Sequence, residues 1–323
     1  MTILDALILG VVEGVTEYLP VSSTGHLILT GALLGLGRPE DGETSAAAMG
    51  AVKEALDRFE IAIQGGAILA VAGLYWPRLM QMAAGLLSLV RPGSRTERSA
   101  DGLRLLRNLV VSFIPAAVVG LTLEPLIKRH LFHPVPVIVA LMAGGLLLLA
   151  LGPWQRRRGT ATAERASGPD PLASLSVWRA LVIGLAQTLA LWPGTSRSMV
   201  TILAALGVGL PPRKAAEYSF LLGLPTLAAA SAWQIAKVLR GQKAPDGTVL
   251  VPGGMEGLQR FVELIGGWGP LLVGLAAATV TAALAVRWLV GWLGRHSLDV
   301  FGWWRLLVAA AFAWALALGW IAH

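Results

Sequence analysis

Long apolar runs recur from one end of the chain to the other, and polar residues interrupt them in a pattern that repeats. Residues 3–19 and 25–37 are two apolar pieces, each too short to cross a bilayer comfortably, joined at Pro20. A proline ends a helix because the preceding residue avoids the α region and the ring removes a donor. Ser22, Ser23 and Thr24 follow, residue types that cap a new helix. Residues 38–59 are mixed and polar, a loop or surface helix. Fuller spans are expected at about 60–77, 107–124 and 134–152, near the ~20 residues a bilayer requires. An amphipathic piece at 79–90 and an arginine-rich loop lie between the first two.

The layout then returns. A-L-V-I-G at 180–184 echoes A-L-I-L-G at 6–10, Gln187 falls where Glu13 did, and Pro193 breaks the run as Pro20 did. Thr195-Ser196-Arg197-Ser198 stands in place of Ser22-Ser23-Thr24, and Glu217 and Gly223 match Glu60 and Gly66 in spacing. Further spans are expected at about 217–238, 268–290 and 304–321. The pattern predicts an all-α polytopic membrane protein of two repeats, 1–154 and 177–323, joined by a cytoplasmic linker at 155–176. Each repeat is a broken helix pair (2–37 and 178–209) plus about three transmembrane helices.

Three crossings are odd, so the second copy starts on the opposite face if each broken pair is re-entrant. The arginine-rich segments 78–107 and 153–179 are two spans apart and share a compartment, taken as the cytoplasm. The acid-rich segment with Glu40, Asp41, Glu43, Glu54 and Asp57 then lies outside. The expectation is an inverted repeat whose re-entrant pairs enter from opposite faces and meet inside. Two full crossings per broken pair are the alternative.

Composition supports a membrane protein: 55% of residues are hydrophobic and only 14% charged. The net charge of +7 would suggest nucleic acid in a soluble protein; here arginines flanking spans account for it, and no nucleic-acid partner is expected. Cysteine is absent, which removes thiol nucleophiles, disulfides and Cys-ligated metals. Asp5, Glu13 and Glu17 argue against a signal peptide at the N-terminus.

The chemistry sits at the breaks. Glu13 and Glu17 are four apart and share one helix face, inside an apolar run, with His26 just beyond. Arg197 at membrane depth needs an anionic partner, a carboxylate or a phosphate that its guanidinium grips bidentately. Each break also presents a fresh helix N-terminus, with free N–H groups and a positive dipole end. Two such ends, hydroxyls and an arginine make an anion receptor. The glutamates then call for a proton or a divalent cation, Mg²⁺ or Ca²⁺, bridging Glu13, Glu17 and phosphate oxygens.

E-G-V-T-E-Y-L-P-V-S-S-T-G-H at 13–26 and P-G-T-S-R-S-M-V-T at 193–201 resemble the two signature motifs of the undecaprenyl pyrophosphate phosphatase family linked to bacitracin resistance. F-E-I-A-I-Q-G-G-A-I-L-A-V at 59–71 and A-E-Y-S-F-L-L-G at 216–223 are similar to it as well. The resemblance implies hydrolysis of undecaprenyl pyrophosphate to the monophosphate carrier of cell-wall precursors, in the bacterial cytoplasmic (inner) membrane with the site toward the outer side. By motif position it implies Glu13, Glu17, Ser22, Ser23, Thr24, His26, Ser196, Arg197 and Thr201 as the functional set. Arg197 would clamp the pyrophosphate; His26 would act as acid/base or nucleophile, with Ser23 its rival and water a third candidate. Ser22, Thr24, Ser196 and Thr201 would hydrogen-bond phosphate oxygens. The partners expected are a polyprenyl pyrophosphate lipid and the bilayer, with a homodimer as a candidate assembly.

Two other classes compete. A flippase or transporter of a phosphorylated polyprenyl lipid would also use inverted repeats and a phosphate site. A phosphatidate-type phosphatase would need a further histidine after the second motif, and none occurs between Arg197 and His296. Glu60 and Glu217 read as interfacial anchors; Trp76, Trp268, Trp303 and Trp304 read as an interfacial belt; His130, His133, His296 and His323 read as solvated.

Overall fold

The computed structural model describes residues 1–36, 46–91, 93, 96–163, 170–243, 249–251 and 253–321. Glu40, Asp41, Glu43, Arg165 and His323 lie outside the described residues. The helices are α1 (Ile3–Glu17), α2 (Ser23–Leu33), α3 (Ala46–Leu74), α4 (Trp76–Val90), α5 (Glu97–Leu131), α6 (Pro134–Ala163) and α7 (Val177–Gln187). After a 3₁₀ turn at Thr188–Leu191 come α8 (Arg197–Gly207), α9 (Pro212–Arg240), α10 (Gly254–Leu264), α11 (Trp268–Trp292) and α12 (Asp299–Ala317). A two-stranded antiparallel ribbon, Gln242–Lys243 with Val249–Val251, sits between α9 and α10.

Among the described residues, five helices are long and apolar enough to cross a membrane. They are α5, α11, α12 and the apolar stretches Pro134–Arg156 of α6 and Pro212–Lys237 of α9. The α3–α4 pair makes a sixth if counted as one span; its two parts meet at 75° at Tyr75. The protein is therefore a polytopic helical membrane protein. Residues 46–59, expected within a loop or surface helix, form the first half of α3, and the start of the expected linker continues α6 to Ala163.

Both proline-containing breaks form. Thr2 opens α1 with a reciprocal cap: its Oγ1 accepts from Asp5 N at 3.1 Å while Asp5 Oδ2 accepts from Thr2 N at 2.8 Å. At ~1.5 Å per residue α1 is roughly 22 Å long and α2 roughly 16 Å, so neither spans a ~30 Å hydrocarbon layer alone. The two α2-like starts share an unusual backbone. Ser22 has φ 74°, ψ 104° and Ser196 has φ 72°, ψ 109°, the only described non-glycine residues with positive φ. A serine there is strained, and such strain concentrates at functional sites.

The broken helices are buried by packing on long helices, and small residues make this close. The backbone of α1 presses on α11 through Gly10, where a Cβ would collide with the Gly274 carbonyl, and Gly14, which meets Ala278 and Thr281. Likewise α7 presses on α5 through Gly184, where a Cβ would stand 2.5 Å from the Ser112 carbonyl oxygen. Without a hydrophobic drive between helices in lipid, such close approach supplies the packing. We expect Gly10→Val to lower the thermal midpoint of the detergent-solubilised protein by several degrees, since overpacking against backbone costs about 3 kcal/mol. An unchanged midpoint would mean that α1 and α11 are not in this contact.

Candidate functional site

The two breaks meet. Leu19, at the end of the first, offers its carbonyl to the hydroxyls of Ser198 (2.8 Å) and Ser196 (3.5 Å) at the start of α8. This crossing places Arg197, the first residue of α8, against Glu17, the last of α1. Their Nη2–Oε1 distance is 3.4 Å, and both side chains are almost fully buried.

Several neighbours hold this pair. Glu17 Oε2 accepts the Ser23 hydroxyl at 2.7 Å. Arg197 Nη1 donates to the Ser219 carbonyl at 3.0 Å, and the guanidinium lies 5.3 Å from the centroid of the Tyr18 ring. That ring is fixed edge-on by Phe220, with centroids 5.3 Å apart. Arg197 Nε is buried and has no hydrogen-bond partner. Room for the guanidinium comes from Gly223 of α9, where a Cβ would lie 2.6–2.9 Å from its atoms.

A cleft of roughly 170 Å³ opens over the pair, lined in part by Glu17, Ser22, Ser23, Thr24, Ser196 and Arg197. The N-termini of α2 and α8 both end at it. The Ser22 side chain makes no cap hydrogen bond to α2, contrary to the capping role its type suggests, whereas Ser196 Oγ caps α8 from Met199 N at 3.3 Å. First-turn amides of α2 are thus without a side-chain cap, beside a cationic guanidinium and several hydroxyls. Such a cleft suits a tetrahedral oxyanion.

Three expected residues stand off the cleft wall. Thr201 is fully buried one turn deeper, its hydroxyl 2.7 Å from the Arg197 carbonyl and 2.6 Å from Ser219 Oγ, so it pins α8 to α9 beneath Arg197. Glu13 is buried one turn before Glu17, and its Oε1 has no hydrogen-bond partner. His26 lies within α2 with Nδ1 2.7 Å from the Ser22 carbonyl, while Nε2 faces the Trp304 indole N–H at 2.8 Å. The indole only donates, so Nε2 is the acceptor and Nδ1 carries the proton. Among the described residues no three His, Cys, Asp or Glu side chains are grouped to hold a metal ion by themselves.

Sequence reasoning missed several participants. Gln64, Trp192 and Leu227 also line the cleft, beside the expected Pro193, and Tyr18, Ser219 and Gly223 surround Arg197. A glutamine inside the apolar run 59–71 was the available signal for the first. Two readings need correction. Trp304 is more than a belt residue, since its indole is spent on His26. Glu217 is more than an interfacial anchor: it accepts from Arg78 Nε and Lys214 Nζ, both at 2.7 Å, in a network with Asp170 that ties α9 to the start of α4.

The whole-chain comparisons agree on one family. A sequence model of the family described as bacitracin resistance protein BacA matches residues 6–311. The undecaprenyl-diphosphatase of Sorangium cellulosum (strain So ce56) is 39% identical over 310 residues, covering 96% of this chain and 85% of the relative. That of Methylibium petroleiphilum is 36% identical over 331 residues, covering 99% and 98%. Undecaprenyl-diphosphatase 2 of Rhodospirillum rubrum is 38% identical over 323 residues, again covering 99% and 98%.

Proposed function

We propose that this chain, which belongs to the bacitracin resistance protein BacA family, is an undecaprenyl-diphosphatase. It hydrolyses undecaprenyl pyrophosphate to undecaprenyl phosphate and inorganic phosphate, and so returns the lipid carrier to cell-wall synthesis. The observation that carries the site assignment is the Glu17–Ser23–Arg197 cluster at the floor of a cleft ringed by helix N-termini.

The roles follow from the contacts. Arg197 and the first-turn amides of α2 and α8 hold the terminal phosphate and offset charge as it develops on its oxygens. Ser23 Oγ, its proton directed to Glu17, is the group best placed to attack that phosphorus. The Ser–O–P bond forms, the anhydride P–O bond breaks, and undecaprenyl phosphate leaves. That leaving phosphate carries away the proton Glu17 took from Ser23. Water then attacks the phosphoserine; Glu17 takes a proton of that water and returns it to Ser23 Oγ as inorganic phosphate departs. Direct attack by water held on Glu17 is the competing route. His26 becomes an acid/base group once Trp304 gives up Nε2.

Glu13 and Glu17 would hold Mg²⁺ or Ca²⁺ together with phosphate oxygens of the substrate. The orphaned Glu13 Oε1 fits such an ion, which would neutralise phosphate charge. Under this reading a strong chelator lowers the rate at least ~10-fold and added Mg²⁺ or Ca²⁺ restores it, as expected for an ion that stabilises phosphoryl charge. Full rate in chelator removes the ion.

The two halves are read as inverted repeats with re-entrant broken pairs, the site opening to the outer side of the cytoplasmic membrane, and a homodimer as a candidate assembly. Support comes from the twinned backbone at Ser22 and Ser196, and from the exchange of partners, α1 on α11 and α7 on α5. The same architecture suits a flippase, which has no use for a serine hydrogen-bonded to a buried carboxylate. Phosphate release by detergent-purified protein, with no second compartment present, supports the hydrolase; lipid translocation in vesicles without phosphate release would replace it with the carrier.

A further inference from the structure

Two arginines lie buried in apolar helices near the cleft, and one of them has no carboxylate. Arg305, in the second turn of α12, is 0% exposed and is the largest fully buried side chain described. Its Nη2 donates to the carbonyls of Ala140 (2.9 Å) and Gly194 (2.8 Å), and its Nε to that of Leu141 (3.3 Å). Nη1 has no partner. Among the described residues its partners are these carbonyls alone, with no acidic group. Carbonyl dipoles solvate a guanidinium but leave its charge uncancelled, and a lone charge removed from water is costly.

The fold reserves space for this group. At Gly144 of α6 a Cβ would collide with the guanidinium. Its acceptors come from two places that must stay aligned, α6 and the second break. Gly194, with φ 92°, lines the cleft itself and precedes Ser196 and Arg197. The unpaired cation therefore stands directly behind the wall against which an anion would rest. The neighbouring residue on α12, Trp304, meets His26 at the first break, so one helix turn touches both breaks.

We propose that Arg305 is a positioning residue for the phosphate cleft. It fixes the Pro193–Gly194 turn that aims the N-terminus of α8, and its uncancelled charge draws an anion that it does not touch. This deepens the hydrolase reading and rests on it for the identity of the anion. A purely structural clamp is the rival, and it requires hydrogen bonds but no charge.

The test uses full-length protein in detergent, with inorganic pyrophosphate as the probe and its Kd measured by calorimetry, alongside the thermal midpoint. Arg305→Gln, which keeps a donor but not the charge, should weaken pyrophosphate binding at least ~10-fold, because attraction in a low-dielectric site is strong. Arg305→Lys should recover binding to within about threefold of wild type by the same charge argument. Gly144→Ala, which displaces the guanidinium without altering it, should match Arg305→Gln and serves if that variant does not fold. Folded Arg305→Gln or Gly144→Ala protein with wild-type pyrophosphate affinity overturns the proposal, as does equal loss in the Lys and Gln variants. Absence of phosphate release by wild type would instead overturn the hydrolase reading, and the binding measurement separates the two.

Discussion

Arg197→Ala should lower phosphate release from undecaprenyl pyrophosphate by at least ~10³-fold, about 4 kcal/mol of transition-state stabilisation. The size follows from where the guanidinium sits. It is buried, aligned by the Ser219 carbonyl and the Tyr18 ring, and lines the cleft. Removing it also strands Glu17, which loses its cationic neighbour at 3.4 Å at the buried end of an apolar helix. Arg197→Lys should recover little, because a point charge cannot serve Ser219, Glu17 and a phosphate from one planar fork. Gly223→Ala should approach the same loss through geometry alone, since its Cβ would displace the guanidinium. A rate for Arg197→Ala within tenfold of wild type would remove the arginine from the phosphate site.

The second large effect belongs to the Ser23–Glu17 hydrogen bond. Ser23→Ala and Glu17→Gln should each cost about 10³-fold, and the double variant should be no slower than the worse single one, because groups that act as a unit are non-additive. Losses that multiply instead would mean independent roles, with Glu17 serving water or a cation. Ser23→Ala at more than a tenth of the wild-type rate would leave water as the nucleophile. His26→Ala is expected to lose less than either, because the imidazole is off the cleft wall and both nitrogens are engaged elsewhere. Near-complete loss in His26→Ala with activity kept in Ser23→Ala would reverse the assignment.

Much of this was legible in one dimension for a simple reason. A bilayer tolerates charge, proline and unpaired backbone only where protein compensates them, so each violation of the apolar pattern marks a place where something must be offset. Glu13, Glu17, Pro20, Arg197 and the serines after each proline were all such violations, and Glu17, Arg197, Ser22, Ser23 and Ser196 converge at the cleft. Gln64 was a violation too, overlooked because a neutral amide inside a span attracts less notice than a charge. Arg305 stands at the edge of the span expected at 304–321, whereas α12 begins at Asp299 and carries it into its second turn.

The sequence alone determined that the chain threads a membrane as helices and that polar chemistry collects at two proline breaks, because burial of apolar surface and the lost donor of proline are local properties. It could not say which hydroxyl meets which carboxylate. That His26 turns to Trp304 and away from the cleft, that Thr201 lies under Arg197, and that Gly223 and Gly144 clear space for two guanidiniums are facts of three-dimensional approach. Such contacts join residues as far apart as 26 and 304, and no periodicity along the chain encodes them.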